Sequence, residues 1–168
     1  MSEREVVVVG IDVAKASVEV LTLGGAGPEG EFGNDPEGHT ALLARLPAGV
    51  LVVMEATGGY EAALACALQA AGLAVAVVNP KRARDFAKGV GALAKTDRID
   101  ARVLAEFGQV LKRKPELQRH LKPAVDEQVQ DLAAWVTRRR QLLGMLLSER
   151  QRLALSRPKV RPSIEAMI

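Results

Sequence analysis

Val6-Val7-Val8-Val9-Gly10-Ile11-Asp12 is a continuous, β-branched run that stops on a carboxylate. A strand with no polar alternation suits a position buried on both faces, so Glu5–Ile11 reads as a buried strand. The chain continues with Ser17–Leu23, which alternates as a second strand, then the turn Gly24-Gly25-Ala26-Gly27-Pro28. Glu29–Gly33 is a short third strand. Asn34-Asp35 caps a helix with Pro36 near its first position, running to about Leu46. A second apolar run, Val50-Leu51-Val52-Val53-Met54, is a central strand and ends on Glu55.

Gly58–Ala71 reads as a helix closed by Gly72, Leu73–Val78 as a buried strand ended by Asn79-Pro80, and Lys81–Lys88 as helical. Thr96 is a plausible N-cap for a helix over Asp97–Leu111. The order is β-β-β-α-β-α-β-α-α. Three successive strands imply an antiparallel meander, and the later βαβ units imply parallel strands with right-handed crossovers. The expected fold is α/β: a mixed five-stranded sheet flanked by helices, in the order of the ribonuclease-H-like (RuvC-like) fold.

That domain is expected over residues 1–111. Lys112-Arg113-Lys114-Pro115 and Pro123 mark a linker over 112–123. Residues 124–156 form a long helix of coiled-coil type. Val129, Leu132, Val136, Arg139, Leu143, Leu146, Arg150 and Leu153 step alternately by three and four along it. Such a stripe suits a pair of helices, so self-association as a dimer or higher is expected; one amphipathic helix packed on its own domain is the alternative. Residues 157–168, with Pro158 and Pro162, read as an extended tail.

Composition narrows the function. Of 168 residues 3% are aromatic, too few for base-stacking platforms, and the single Cys66 excludes an internal disulfide and leaves no plausible zinc cage. The charged start Met1-Ser2-Glu3-Arg4-Glu5 is no signal peptide, and the longest apolar stretch, Ala62 to Val78, falls short of the ~20 residues of a membrane span. A cytoplasmic protein is expected. Residues 1–79 carry 3 Lys/Arg and 10 Asp/Glu, net −7, whereas residues 80–168 carry 20 and 10, net +10. A basic second half suggests a polyanion partner.

The acids carry the chemistry. Asp12 and Glu55 end two strands, and Asp97 and Asp100 lie three apart at a helix start, on one face. A sheet can bring all four together. Two like charges about 4 Å apart cost roughly 4 kcal/mol at an effective dielectric near 20. A hard divalent cation with oxygen ligands, Mg²⁺ or Mn²⁺, offsets that cost.

Four stretches resemble the DEDD transposases of bacterial insertion sequences, the one-ten family related to the Piv invertases. Val8-Val9-Gly10-Ile11-Asp12-Val13-Ala14-Lys15 is similar to the first motif and Met54-Glu55-Ala56-Thr57-Gly58-Gly59-Tyr60 to the second. Val78-Asn79-Pro80 with Lys95-Thr96-Asp97-Arg98-Ile99-Asp100-Ala101 is similar to the third. Arg139-Arg140-Gln141-Leu142-Leu143 lies in a helix resembling the one that follows the catalytic domain. The resemblance spans about residues 5–155. It implies that Asp12, Glu55, Asp97 and Asp100 are the catalytic metal ligands of a DNA transposase or site-specific recombinase. It also implies DNA and a structured guide RNA as partners. Family members carry a second domain with a catalytic serine. Ser17, Ser148, Ser156 and Ser163 match no such motif, so the chain is expected to stop before that domain.

Lys15, Lys81, Arg82, Arg84, Lys88, Lys95, Arg98 and Arg102 surround the motifs and are candidates for holding nucleic-acid phosphates. Thr57-Gly58-Gly59 either offers amides to a phosphate or is a tight turn; it lacks the Gly-Lys-Ser/Thr of a P-loop. His39 and His120 read as surface residues, and Trp135 as packing beside the stripe. Two other readings compete. A non-catalytic module that binds nucleic acid and its own copies fits the charge and the helix. An actin- or sugar-kinase-like ATPase shares Gly10-Ile11-Asp12 at a first strand, but its second phosphate loop and second domain have no room here.

Overall fold

A computed structural model describes residues 7–92, 96–113, 119, 121 and 127–168. The elements run β1 (Val8–Val13), β2 (Ser17–Leu23), β3 (Gly30–Gly33), α1 (Pro36–Leu43), β4 (Leu51–Glu55), α2 (Ala62–Ala70), β5 (Ala74–Val78), α3 (Pro80–Gly89), α4 (Asp97–Lys112), α5 (Glu127–Leu155) and α6 (Arg161–Glu165). The sheet order is β3-β2-β1-β4-β5. The first three strands pair antiparallel, while β1–β4 and β4–β5 are parallel. This mixed sheet with flanking helices is the ribonuclease-H-like fold.

Both faces of the sheet are covered, which is why β1 and β4 are apolar up to Asp12 and Glu55. Val9, Ile11, Val52, Met54 and Val75 pack with Leu42, Leu64 and Leu68 of α1 and α2. The alternate residues Val8, Leu51, Val53, Ala76 and Val78 pack with Ala83 of α3 and Leu104 and Leu111 of α4. Leu64 and Leu68 are fully buried; truncating either to Ala would cost about 2–5 kcal/mol.

Helix α4 lies unusually close to β1. A Cβ on Gly10 would stand 1.9 Å from the Ala101 carbonyl oxygen and 2.5 Å from the Ala105 amide nitrogen. A Cβ on Gly108 would meet Val8 Cγ1 at 2.5 Å and Val53 Cγ2 at 2.7 Å. Gly10 on the strand, with Ala101, Ala105 and Gly108 on the helix, thus lets the two backbones touch. Helix and strand run in opposite directions, so the start of α4 lies at the Asp12 end of β1.

Several boundaries differ from the sequence reading. Helix α2 starts at Ala62, because Gly58 and Gly59 hold φ of +73° and +109° and form a turn first. The tail expected to be extended contains α6 instead; Pro162 sits in its first turn, where a missing N–H costs nothing. Helices α5 and α6 form a second compact unit. The proposed linker lies mostly outside the described residues, as does His120. Trp135 is 73% exposed rather than packed. His39 is buried at 7% exposure, because Asn34 offers its imidazole a partner inside the fold. No described helix is long and apolar enough to cross a membrane.

Candidate functional site

The β1–β4 ladder pairs Gly10 with Val53 and Ile11 with Met54. Asp12 and Glu55 are the next residues on the two strands. By the two-residue period they share the face of Gly10 and Val53, which is the α4 face. On that side Thr96 caps α4, its Oγ1 accepting from the Ile99 amide at 3.2 Å. The cap fixes the first turn, in which Asp97 and Asp100 favour the helix dipole.

The outcome is one cleft of about 430 Å³ lined by Asp12, Glu55, Asp97 and Asp100. Thr57 and the basic residues Arg84 and Lys88 of α3 line it too. Asp12, Glu55 and Asp100 are half-buried and Asp97 is exposed. Every donor is a carboxylate oxygen, the chemistry of a hard divalent ion. Among the described residues no three such groups stand close enough to hold one ion in common. The acids line an open cleft and would have to draw in around a metal.

The other basic candidates are dispersed. Arg82 lines a separate cavity with Asn79, Phe107 and Arg119. Arg98 pairs with Glu29 at 3.8 Å, and Arg102 with Glu106 at 3.0 Å. Lys15 and Lys81 are exposed, and Lys95 lies outside the described residues.

Sequence reasoning missed four polar residues. Glu19 is the register partner of Asp12 across β1–β2, adding a carboxylate to the same face. Glu61 closes the turn after Glu55. Its Oε2 accepts from the Thr57 amide at 3.1 Å, the Gly59 amide at 3.0 Å and the Thr57 hydroxyl at 3.3 Å. The amides that had looked open to a phosphate therefore already hold an anion, and the tight-turn alternative is the one observed. Asn34 and His39 brace the neighbouring loops. A Glu four residues after a Thr that precedes two glycines was the available signal for Glu61. Asn34 and His39 act across the fold, where no spacing rule reaches.

Burial alone would raise the Glu61 carboxyl. The amides of Glu61, Thr57 and Gly59 and the Thr57 hydroxyl outweigh it and hold the pKa below the usual carboxylate value. The unfolded chain then binds this proton more readily than the folded one. Stability from Glu61 is complete above the ordinary value near 4.5 and is lost as pH falls through the lowered one. Glu61→Gln should cost about 1.5–3 kcal/mol at neutral pH. The gap between wild type and variant should narrow in urea melts taken from about pH 6 down to about pH 3. A gap that widens on acidification would contradict this account.

No curated protein matches the sequence. Among solved structures, Thermus thermophilus RuvC in complex with a Holliday junction substrate is similar at 16% identity, with a TM-score of 0.40, over 60% of this chain and 90% of that one. The family described as "Transposase", the DEDD type of IS110 elements, matches residues 9–155. That match takes in the sheet, the four-acid cleft and α5 together, and the chain belongs to the IS110-type DEDD transposase family.

Proposed function

We propose that this chain is the phosphodiester-cleaving part of a DNA transposase, with Asp12, Glu55, Asp97 and Asp100 as ligands of Mg²⁺ or Mn²⁺. One observation carries the reading: four acids from β1, β4 and α4 line one cleft, with Arg84 and Lys88 beside them. Bound ions of this kind stabilise the attacking and leaving oxygens of a phosphodiester. The acids' task is to hold and orient those ions. Arg84 and Lys88 offer cationic donors to the scissile strand's phosphates, and the apolar side chains of Val103 and Leu104 form part of the wall. A structured RNA that selects the DNA is a further partner, and it rests on family membership.

The test is cleavage of labelled branched and linear DNA, with Mg²⁺, Mn²⁺ or EDTA, by the wild-type chain and by Asp97→Asn. Metal-dependent nicking that the substitution removes is the expected result. DNA binding that falls steeply with salt, but with no cleavage under any metal, would favour the non-catalytic binding module instead.

Self-association through α5 belongs to the same proposal. Val129, Leu132, Val136 and Leu143 are exposed along one stripe, Leu132 at 63% and Leu143 at 47%. An apolar stripe of this kind suits a partner helix, and pairing would bring two acidic clefts to one DNA. Leu143→Asp should lower the mass measured by light scattering at high concentration and leave the sheet's circular dichroism unchanged. A wild-type chain that is monomeric at every concentration would remove the proposal.

A further inference from the structure

Beyond Ile11 and Met54 the parallel ladder between β1 and β4 ends. Asp12 stays paired with Glu19 on β2, and Glu55 with Val78 on β5. After Asp12 the backbone turns towards β2, with the Ala14 amide donating to the Ser17 carbonyl at 2.9 Å. After Glu55 it leans towards β5, with the Ala56 amide donating to the Val78 carbonyl at 3.0 Å. Asp12 and Glu55 therefore lie one residue past the last β1–β4 pair, still inside their strands, and the loops that follow them turn towards opposite neighbours.

Asn34 links those two loops. Its Nδ2 donates to the Ala14 carbonyl at 2.8 Å and to the Tyr60 carbonyl at 3.2 Å. Ala14 lies two residues beyond Asp12, and Tyr60 lies in the turn after Glu55 that Glu61 closes. The Asn34 amide nitrogen also donates to the Ala16 carbonyl at 2.9 Å. The Oδ1 end is assigned as well. The ring Nε2 of His39, buried on α1, stands 2.8 Å from it. A carbonyl oxygen only accepts, so the His39 Nε2–H donates. This turns the amide so that its NH₂ faces both loops.

We infer that Asn34, oriented by His39, is a positioning residue that clips the loop after Asp12 to the loop after Glu55 and so sets the spacing of those two carboxylates for a divalent cation. The inference rests on the reading of the cleft as a metal site. Residues that orient ligands without touching the metal typically change its affinity about 10–100-fold when removed.

The experiment measures the Mn²⁺ dissociation constant by the loss of the free-ion EPR signal, together with the thermal midpoint. It compares the wild-type chain with Asn34→Ala, His39→Leu, His39→Gln and Thr40→Ala. Glutamine places an amide N–H near the position of the imidazole Nε2, so His39→Gln should keep wild-type affinity. Asn34→Ala and His39→Leu should each weaken Mn²⁺ binding about 10-fold or more. Thr40→Ala removes a hydrogen bond of the same helix, to the Pro36 carbonyl. It should leave the affinity unchanged. Wild-type binding with no weakening in Asn34→Ala would overturn the inference and leave the metal site standing. Should Asn34→Ala not fold, the His39 pair decides: equal affinity in the Leu and Gln variants would overturn it too. A wild-type chain that binds no Mn²⁺ would sink the cleft's metal reading, and this inference with it.

Discussion

Gly10→Ala is expected to lower the thermal midpoint by roughly 6–12 °C and to abolish divalent-metal binding. The added methyl would lie 1.9 Å from one backbone atom of α4 and 2.5 Å from another. No side-chain rotation relieves a clash with backbone, so the helix has to retreat. Overpacking of a core costs about 1–3 kcal/mol, and a clash with backbone belongs at the top of that range or above it. At about 2–4 °C per kcal/mol for a chain of this size, the midpoint shift follows. The retreating helix carries Asp97 and Asp100 away from Asp12. Two further glycines calibrate the result. Gly108→Ala meets valine side chains rather than backbone at its three nearest atoms, and should cost less. Gly144→Ala has nothing within 4 Å and sits inside α5, so it should stabilise that helix by about 1 kcal/mol. Differential scanning calorimetry of the three variants tests the ranking. Gly108→Ala more damaging than Gly10→Ala would contradict the close strand–helix contact.

The glycine contact also marks what could be read from the sequence. The strands were legible because β1 and β4 are continuous apolar runs up to Asp12 and Glu55, a pattern that follows directly from burial on both faces. The acids were legible because each follows a strand run or opens a capped helix. The approach of α4 to β1 was not. It depends on Gly10 meeting Ala101, and nothing local to either residue announces the other. Long-range polar contacts were hidden for the same reason. Asn34 reads as part of the cap of α1, yet its side chain bonds to Ala14, Tyr60 and His39. His39 reads as exposed because a lone histidine has no visible partner; the fold supplies one. The Thr57-Gly58-Gly59 turn shows a local ambiguity. Glycines before a helix suit an incoming phosphate as well as an internal carboxylate, and only the position of Glu61 decides between them. In the basic set, the ion pairs of Arg98 and Arg102 take two cations towards carboxylates of this same chain, while Arg84 and Lys88 stay on the cleft.

Asp12→Asn should remove metal-induced stabilisation while leaving the fold in place. A ligand present at a hundredfold excess over its dissociation constant stabilises the folded state by about 2.7 kcal/mol. For a chain of this size that is a rise of about 5–10 °C in the thermal midpoint with Mn²⁺ or Mg²⁺. Asparagine keeps the shape of aspartate and loses the charge, so the side chain still fits at the end of β1. A neutral amide oxygen is a far weaker partner for a hard divalent cation than a carboxylate. The shift in the variant should fall below about 2 °C under the same metal concentration. Glu19→Gln is the control that separates ligation from general electrostatics. Glu19 faces Asp12 across the β1–β2 ladder and adds the same charge to the same face, yet it does not line the cleft. If metal binds through the four cleft acids, Glu19→Gln keeps most of the shift and Asp12→Asn loses it. If the metal merely screens an acidic sheet edge, the two substitutions reduce the shift alike, and Asp12 has no special role.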